Sequence, residues 1–527
     1  MTDSSASAGA ARLLVYVPGL TDKPGDADEL MARLREENGH VDDVVWVYPD
    51  SIRVLTRGRL AALANTLNRR INSFWTDRGC PQEIVLIGHS AGGVLLRYAY
   101  LCGCGRLRGD KGDWVANVRR IVLLAAPNRG VESSRLSRPT RMAVAFAGGW
   151  KFAARELLAG AVFMTNLRLE WIRHFTGLRV GAPTVVQVRG SEDPLLEAED
   201  SRDVVGCPNG TELYLPHATH RDVMKISAVR EESPGNRYRV LRQAIIGEVE
   251  ITDPEALPED EAAVTDIVFL LHGIRAGIGT WVEDLGNRLK EGAEGQVQVV
   301  QTSYGWLSAF NFAFPVSRRR TLRRFQDKYS YVVARHPKAT IHFVGHSNGT
   351  YMLGQSLRHV VALRFNRVYL AGSVLPRDFP WLDLDGPQIG ALVNACGAKD
   401  KPVAWLCSGL RGFGMRDIGT AGFAGFLDGP ARTVQLLNLD GGHGAGLTGE
   451  RLPDVVQYIR YGQCPTAETT APSAWFDWLS RSAPVWSWTL LLCVLVGVGA
   501  TLFWFSVPGL LVVLAVMGVV YMLLKTV

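Results

Sequence analysis

The sequence predicts two consecutive α/β domains, each a mostly parallel sheet flanked by helices, followed by a C-terminal transmembrane helical segment. Three observations support this prediction. The motif Gly-His-Ser-x-Gly occurs twice, at residues 88–92 and 345–349. Short apolar runs alternate with helix-period segments around each copy, as in parallel sheets covered on both faces. The stretch 485–524 carries no charged residue, and it is about twice the roughly 20 residues that span a bilayer.

Length and composition limit the class of protein. A chain of 527 residues is long enough for two or more domains. Its net charge of +6 is modest and does not indicate a nucleic-acid partner. The eight cysteines are scattered, without zinc-ligand spacing or a disulfide framework, which favours a reducing compartment. There is also no phosphate-binding glycine loop.

The repeat and two polar segments set the predicted boundaries. We expect a first domain over residues 12–250, an acidic linker over 251–263 and a second domain over 264–463. A polar linker over 464–484 and a membrane anchor over 485–525 follow. The expected strands of the first domain are 13–17, 44–48, 85–87, 121–125, 184–190 and 212–215. Those of the second are 267–271, 297–300, 341–344, 368–371, 390–397 and 433–439.

Each copy of the motif predicts a nucleophile elbow, in which a strand turns sharply at a serine into a helix. The two serines are Ser90 and Ser347. The glycines are expected because a side chain there would crowd the neighbouring strand or helix. A serine hydroxyl is a poor nucleophile until an imidazole takes its proton, and the imidazole needs a carboxylate to orient it. With this elbow the chain order is serine, acid, histidine.

In the first domain, the acid and the base are sought after the last two strands. Asp193 follows strand 184–190 and is the preferred acid, with Glu192 as the adjacent alternative. His220 lies deeper in the loop after strand 212–215 and is preferred over His217 as the base.

In the second domain, His443 is flanked by glycines after strand 433–439, and no histidine follows it in the sequence. It is the predicted base for Ser347. Asp400 follows strand 390–397 and is the predicted acid. Other aspartates also lie between this serine and His443, and four of them stay as alternatives: Asp378, Asp383, Asp417 and Asp428.

Each site also needs backbone N–H groups that stabilise a negatively charged oxygen. One donor is expected to be the residue after each nucleophile, Ala91 or Asn348. The second is expected in the loop after the first strand of each domain, at Leu20 or Ile274.

These motifs resemble the α/β-hydrolase superfamily, and within it the lipase-like serine esterases, over residues 12–250 and again over 264–463. The resemblance implies ester or thioester hydrolysis through an acyl-enzyme, with no metal and no organic cofactor. The segment 125–130 also resembles the strand after the elbow in lipases, which often ends in Thr-Pro-His-x-Gly. Here Ala and Asn replace the Thr and the His.

An apolar insertion over about residues 131–180 distinguishes the first domain. In the superfamily that the sequence resembles, this position carries a lid or an acyl-chain pocket, so we expect a long acyl chain to bind there. In the second domain, the aromatic segment 304–314 precedes five arginines. They form either a membrane-facing surface or an ordinary charged helix face: Arg318, Arg319, Arg320, Arg323 and Arg324.

Two topologies are compatible with the predicted anchor. A hairpin that breaks at Pro508-Gly509 is favoured over one long kinked helix, and Trp486, Trp488 and Tyr521 suit the membrane interfaces. The aromatic stretch 475–479 either lies at the interface or packs on the second domain. Without a secretory signal at the N-terminus, the catalytic domains are expected to face the cytoplasm.

The sequence therefore predicts a membrane-anchored serine hydrolase acting on lipid or acyl esters, with the lipid bilayer as its partner and no nucleic acid. Two alternatives stay open. The same residues would serve an acyltransferase or thioesterase, or one domain would be catalytic and the other a regulatory or interaction module. The oligomeric state is not predicted.

Overall fold

The computed structural model describes residues 12–20, 22–23, 25–38, 44–46, 59–136, 153–178, 181–196, 200, 203–204, 206–227, 235–251, 264–273, 281–293, 296–301, 315–384, 388–429, 433–465 and 474–504. The chain divides into two compact units. The first comprises residues 1–258 together with 326–337, and the second comprises residues 259–325 together with 338–527.

The first unit contains a six-stranded sheet in the order β2-β1-β3-β4-β5-β6, and every described strand pair is parallel. Its strands are β1 Arg12–Val17, β2 Val44–Trp46, β3 Glu83–His89, β4 Val118–Leu124, β5 Thr184–Gly190 and β6 Gly210–Leu215. Its helices are α1 Asp28–Asn38, α2 Leu60–Asp77, α3 Ala91–Gly103, α4 Ala153–Glu156, α5 Val162–Gly177 and α6 Asn236–Ile245.

The second unit contains a sheet in the order β12-β11-β10-β9-β7-β8, which is the strand order of the first sheet read from its other edge. Its strands are β7 Asp266–Leu271, β8 Val297–Gln301, β9 Thr340–His346, β10 Phe365–Ala371, β11 Ile389–Gly397 and β12 Thr433–Leu439. The helices begun in this part of the chain are α7 Trp281–Lys290, α8 Pro315–Arg335, α9 Asn348–His359, α10 Ser408–Gly412, α11 Ala421–Ala424, α12 Leu452–Tyr461 and α13 Ala474–Trp504.

The predicted parallel sheets flanked by helices are confirmed in both units. The apolar runs 184–190 and 433–439 are strands with the predicted bounds. In the first unit, two separate clusters of buried apolar side chains lie on the two faces of the sheet. Because both faces are covered, the strands read as continuous apolar runs and could be found from sequence.

The glycines of the first motif allow the strand and the helix to approach closely. A Cβ added at Gly88 would lie 2.5 Å from the Cα of Gly93, and one added at Gly92 would overlap the carbonyl oxygen of Val17. In the second unit, a Cβ at Gly349 would overlap the carbonyl oxygen of Leu271 in the same way. The predicted steric reason for these glycines is therefore confirmed.

A buried polar network holds the middle of α3. The Arg97 side chain donates to the carbonyl oxygen and to Oδ1 of Asn128, at 3.2 and 2.9 Å. Asn128 Nδ2 in turn donates to Gln187 Oε1 at 3.0 Å. Burial lowers the pKa of the Arg97 guanidinium to about 10, and the negative charge of Asp203 opposes that effect. The asparagine that departs from the lipase-like pattern therefore has a structural role here.

The described part of the insertion fills the core beside α3. Phe163 stacks on Tyr98 with ring centroids 4.9 Å apart, and Met164 is buried in the same cluster. The Glu156 carboxylate accepts the Leu60 backbone N–H at the start of α2, at 2.6 Å. The apolar run 142–147 lies outside the described residues.

The C-terminal helix α13 packs on the second unit through its first half. Ser480 Oγ donates to the carbonyl oxygen of Ala404 at 2.9 Å, and its own carbonyl accepts from Ser408 Oγ at 2.8 Å. Trp488 Nε1 donates to the carbonyl oxygen of Gly412 at 2.8 Å. The contacts begin at Ser480, and Trp475 and Trp478 are exposed, so both alternatives for residues 475–479 stay open.

None of the helices in the described part of the chain has the combined length and apolar character needed to cross a membrane. Residues 505–527 lie outside that part, and they include both Pro508-Gly509 and Tyr521. The membrane anchor over 485–525 and its hairpin therefore stay predictions.

The close approach at Gly92 yields a stability prediction. Gly92→Ala should lower the free energy of unfolding of the first unit by about 3 kcal/mol or more, because the new methyl group overlaps backbone oxygen that cannot rotate away. Urea unfolding monitored by tryptophan fluorescence would measure the change. The matched control is Gly177→Ala, because a Cβ there meets nothing within 4 Å. Equal stability of the two variants would contradict the steric explanation.

Candidate active site

Both serines occupy the sharp turn predicted for them. Ser90 has φ 50° and ψ −122°, and Ser347 has φ 54° and ψ −119°. Each stands between the last residue of a strand and the first residue of a helix. The Ser90 N–H donates to the carbonyl of Leu124 at 2.8 Å, and the Ser347 N–H donates to that of Ala371 at 3.1 Å. Positive φ is costly for a non-glycine residue, so these bonds to the next strand help to hold the turn.

In the first unit, a continuous chain of hydrogen bonds joins serine, histidine and aspartate. Ser90 Oγ lies 2.8 Å from His220 Nε2, and His220 Nδ1 lies 2.8 Å from Asp193 Oδ2. A carboxylate only accepts, so Nδ1 carries the proton and Nε2 is free to accept from the serine hydroxyl. The other carboxylate oxygen, Oδ1, accepts the Leu195 N–H at 2.8 Å. The Asp193 side chain is buried, while Ser90 is half-buried.

The two alternatives considered for this unit lie outside the chain of hydrogen bonds. His217 Nδ1 contacts Glu192 Oε1 at 3.1 Å, and the side chains are 41% and 47% exposed. The structure therefore brings Asp193 and His220 to Ser90, and it pairs Glu192 with His217 at the surface.

The second unit assembles the acid and the base in the same manner. His443 Nδ1 lies 2.9 Å from Asp400 Oδ2, and Asp400 Oδ1 accepts the Val403 N–H at 3.0 Å. The carboxylate is fully buried. Asp193 has the same arrangement: one carboxylate oxygen contacts the imidazole, and the other accepts a backbone N–H a few residues further along the chain.

The four alternative aspartates are engaged elsewhere or make no described contact with the base. Asp417 accepts from Arg318 at 2.8 Å and from the Tyr351 hydroxyl at 2.7 Å. Asp378 accepts from Arg411 at 3.0 Å. No described contact joins Asp383 or Asp428 to His443. Arg318 is buried in its pair with Asp417. It therefore does not belong to an exposed basic face of the arginines at 318–324.

The nucleophile of the second unit is placed differently from that of the first. Within the residues that the structure describes, no hydrogen bond joins Ser347 Oγ to His443. Ser347 is only 6% exposed. The His443 ring instead lies beside the buried ring of His346, with centroids 4.5 Å apart. The second unit thus has a joined acid and base but a buried serine that is not bonded to them.

The residue after the strand next to the nucleophile strand has a positive φ in both units, and in the second unit it limits the position of the base. Ala125 and Gly372 follow β4 and β10, and both have positive φ, 47° and 52°. A Cβ at Gly372 would lie 2.7 Å from the carbonyl oxygen of His443 and 2.8 Å from its Nδ1. The second unit therefore has room for its histidine loop only because residue 372 is glycine.

Of the four predicted oxyanion donors, three lie in the described part of the chain. Ala91 and Asn348 are the first residues of α3 and α9, where backbone N–H groups lack partners within the helix. Leu20 follows Gly19, and a Cβ at Gly19 would lie 3.0 Å from that of Ser90. The loop therefore passes directly beside the nucleophile. Ile274 lies outside the described residues, although a Cβ at Gly273 before it would lie 2.6 Å from that of Ser347.

Sequence reasoning missed two groups of residues at these sites. Gly190 and Gly397 end the strands that carry the acids, and a Cβ at either would overlap the backbone of the histidine loop at Ala218 or Gly442. The matched glycine at the end of both strands was the available signal. His89 was also missed, although a histidine precedes the serine in both motifs.

No protein-family model matches the sequence, and no curated protein matches it significantly. Solved structures do match. Phospholipase PlaB from Legionella pneumophila is 15% identical with a TM-score of 0.27, over 34% of this chain and 39% of its own. This chain thus spans about two fifths of that phospholipase.

Two further solved structures cover less than half of this chain. Carboxyl esterase 2 from Tuber melanosporum is 15% identical with a TM-score of 0.29, over 45% of this chain and 77% of its own. A monoacylglycerol lipase from Paleococcus ferrophilus is 16% identical with a TM-score of 0.26, over 40% and 85%. Likeness at this level carries no argument for function, which comes instead from the geometry of this chain.

The histidine beside the second serine predicts acid sensitivity of its unit. Burial, together with the nearby His443, lowers the pKa of His346 to about 3. The unfolded chain therefore binds a proton below about pH 6.5 that the folded unit refuses, so stability falls as the pH falls. His346→Gln keeps a donor for the His443 carbonyl and should make this loss shallower. Some loss should persist, because burial also lowers the pKa of His342.

Urea midpoints of the variant and the wild type at pH 7 and pH 4.5 would measure the effect. His217→Gln is the matched control, because it removes an exposed histidine and should keep the pH dependence of the wild type. The same pH dependence in His346→Gln and in the wild type would contradict the prediction.

Proposed function

We propose that the first unit is a serine hydrolase that cleaves acyl esters through an acyl-enzyme. The observation that carries this proposal is the hydrogen-bonded chain from Ser90 through His220 to Asp193. The sharp turn at the serine and the parallel sheet around it fit the α/β-hydrolase superfamily, in which we place both units. In this proposal Ser90 is the nucleophile, His220 the general base and then acid, and Asp193 the group that orients the imidazole.

The geometry supports the following chemistry. Ser90 Oγ attacks the carbonyl carbon of the ester while His220 Nε2 accepts its proton, and the Asp193 carboxylate stabilises the resulting imidazolium. As the C–O bond breaks, the imidazolium returns the proton to the leaving alcohol. Water then attacks the acyl-enzyme, with His220 again accepting and returning the proton, and Ser90 is released with the free acid.

The negatively charged oxygen formed in each attack needs preorganised donors. We assign these to the backbone N–H groups of Ala91 and Leu20. Ala91 opens α3, so the partial positive charge at the N-terminus of the helix adds to its donor. Leu20 belongs to the loop that passes beside Ser90.

For the second unit we propose a copy of the same machinery in a resting arrangement, acting as the regulatory partner of the first. Asp400 and His443 are joined, but Ser347 is buried and has no hydrogen bond to the base within the described residues. In this arrangement the imidazole does not take the proton of the serine hydroxyl, so reaction would first require Ser347 and His443 to come together.

The chemistry is the same whichever group accepts the acyl chain. A thioester substrate, or an alcohol that replaces water, would use the same Ser90 acyl-enzyme. We propose water as the acceptor and lipid or acyl esters as substrates. What supports the lipid class is the apolar sequence 485–524 and the exposed side chains of Trp475, Trp478, Trp486 and Trp488 on α13. Tryptophan is enriched where protein meets the membrane interface.

Labelling with a fluorophosphonate tests the proposed function. Ser90→Ala should lose labelling by about 10⁴-fold or more, because a serine hydrolase without its nucleophile has no group to be phosphonylated. Ser347→Ala should be labelled at the rate of the wild type, and the double variant should match Ser90→Ala. The rate is measured on folded, purified protein.

Two results would overturn this assignment. Undiminished labelling of Ser90→Ala would remove the nucleophile from the first unit. Loss of most labelling in Ser347→Ala would make the second unit the working site. The circular dichroism of each variant serves as the control for folding.

Truncation tests the membrane proposal. A chain that ends at residue 489 retains the contacts of Ser480 and Trp488 with the second unit but lacks most of the apolar stretch. It should appear in the soluble fraction after cell lysis, whereas the full chain should sediment with membranes and need detergent for release. Retained labelling at Ser90 controls for folding of the truncated chain. Release of the full chain without detergent would contradict the proposal.

A further inference from the structure

A buried pair of side chains, His89 and Asp22, adjoins the first active site. His89 is the last residue of β3, immediately before Ser90. Its Nδ1 lies 2.7 Å from Asp22 Oδ2, and its Nε2 lies 2.8 Å from the carbonyl oxygen of His220. The side chains of His89 and Asp22 are only 1% and 4% exposed. Neither side chain is hydrogen-bonded to Ser90 Oγ or to the ring nitrogens of His220.

Both ring nitrogens of His89 face oxygen atoms that can accept a hydrogen bond. A carbonyl oxygen can only accept a hydrogen bond, so Nε2 carries a proton. Burial raises the pKa of the Asp22 carboxyl, but the hydrogen bond and charge of His89, with the Gly19 N–H, outweigh burial and lower that pKa overall. As a carboxylate, Asp22 also only accepts a hydrogen bond, so we assign a proton to Nδ1 as well. In this assignment His89 is an imidazolium that pairs with the Asp22 carboxylate.

This pair connects three segments that meet at the serine. Besides His89, Asp22 Oδ2 accepts the Gly19 N–H at 2.6 Å. Gly19 precedes Leu20, the proposed oxyanion donor, and its backbone lies against Ser90. At the other end of the pair, His89 holds the backbone of His220. The loop of the oxyanion donor, the strand that carries the nucleophile and the loop of the base are thereby joined through two side chains.

Within the described residues, the second unit shows no counterpart of Asp22. His346 occupies the position of His89, and its Nε2 lies 3.0 Å from the carbonyl oxygen of His443. Asp22 stands three residues after Gly19, whereas the sequence has Ala276 three residues after Gly273. Among the described residues no carboxylate contacts His346. Burial lowers its pKa to about 3, so this histidine is neutral.

The two units therefore differ both in the partner of the histidine before the serine and in the hydrogen bond between the serine and the base. The unit with the ion pair has its serine bonded to its base. The unit with a neutral histidine has, among the described residues, no hydrogen bond between Ser347 and His443.

We propose that Asp22 and His89 are positioning residues of the first active site. Their pairing holds the loop of His220 and the loop of Leu20 in place around Ser90. This inference rests on the proposed hydrolase function of Ser90. The pair acts through His220 and Gly19, since it orients groups that themselves meet the substrate. Its loss should leave the fold in place while the alignment of Ser90, His220 and the Leu20 N–H becomes less precise.

Asp22→Asn tests the proposal with the smallest change in shape. An amide of the same size removes the negative charge, so His89 becomes neutral and its hold on both loops weakens. With a p-nitrophenyl ester as substrate, kcat should fall by about 10- to 100-fold, the cost of a small misplacement of catalytic groups, and KM should stay unchanged. The rate of fluorophosphonate labelling should fall by the same factor.

The matched control is Asp26→Asn. Asp26 follows on the same segment and accepts the Lys23 N–H, but it does not contact His89. It carries the same change of charge and should keep the kcat of the wild type.

Nitrogen-15 NMR of labelled histidines reads the ion pair directly. His89, assigned by its loss in His89→Gln, should show two protonated ring nitrogens in the wild type and in Ser90→Ala. It should show one in Asp22→Asn. A merely structural role for Asp22 would not require this change. One protonated nitrogen in the wild type would overturn the proposal, even if Asp22→Asn does not fold.

The inference and the proposed function fail separately. If Ser90→Ala abolishes labelling while folded Asp22→Asn keeps the kcat of the wild type, the positioning role is wrong and the hydrolase assignment stands. If Ser90→Ala is labelled as well as the wild type, the hydrolase assignment fails whatever Asp22→Asn does. His89→Gln keeps a donor for the His220 carbonyl without the charge, so it should reproduce the fall in kcat.

Discussion

The turn that carries each serine constrains much of the structure around it. A non-glycine residue at φ near +50° lies in an unfavourable region, and it must enter a helix within one residue of leaving a strand. This is possible only where the helix backbone comes almost into contact with the sheet, at positions such as Gly88 and Gly92. Glycine is needed at those positions because a side chain would not fit, whereas serine is needed at position 90 because its hydroxyl is the proposed nucleophile. The buried sheet then fixes where the serine points.

The two units show that this frame does not by itself determine the arrangement of the site. Both have the same strand order, the same turn at the serine and an aspartate that shares its oxygens between an imidazole and a backbone N–H. They diverge in the electrostatics beneath the turn. In the first unit the histidine before the serine is hydrogen-bonded to Asp22, and in the second burial lowers the pKa of the corresponding histidine to about 3. Within the described residues, a difference of one carboxylate thus accompanies a difference in whether the serine is hydrogen-bonded to its base.

Much of the fold could be predicted from sequence because its signals are local. Strands buried on both faces are apolar throughout, so β5 and β12 were found with their bounds. The choice of His220 over His217 came from its depth in the loop, and the structure places His220 against Ser90 and His217 at the surface.

What could not be predicted depends on distant contacts or on fine position. Asp193 and Glu192 are adjacent, and only the turn at the end of β5 decides which carboxylate points at the imidazole. Asp22 lies 67 residues before its partner, and nothing in its own segment marks it as paired. Whether Ser347 is hydrogen-bonded to His443 depends on the exact positions of two side chains, which no sequence pattern records. Sequence reasoning therefore predicted the candidate catalytic residues but missed the Asp22–His89 pair that we propose aligns them.

The packing of α13 also has a consequence for dividing the chain. Ser480 uses both its hydroxyl and its carbonyl on residues 404 and 408, shortly after the acid of the second unit. A fragment cut at the end of α12 would leave the Ser408 hydroxyl and the Ala404 carbonyl without these partners. A fragment that keeps α13 carries exposed tryptophans into water. For this half of the chain, structural integrity and solubility thus make opposite demands on where it can be cut.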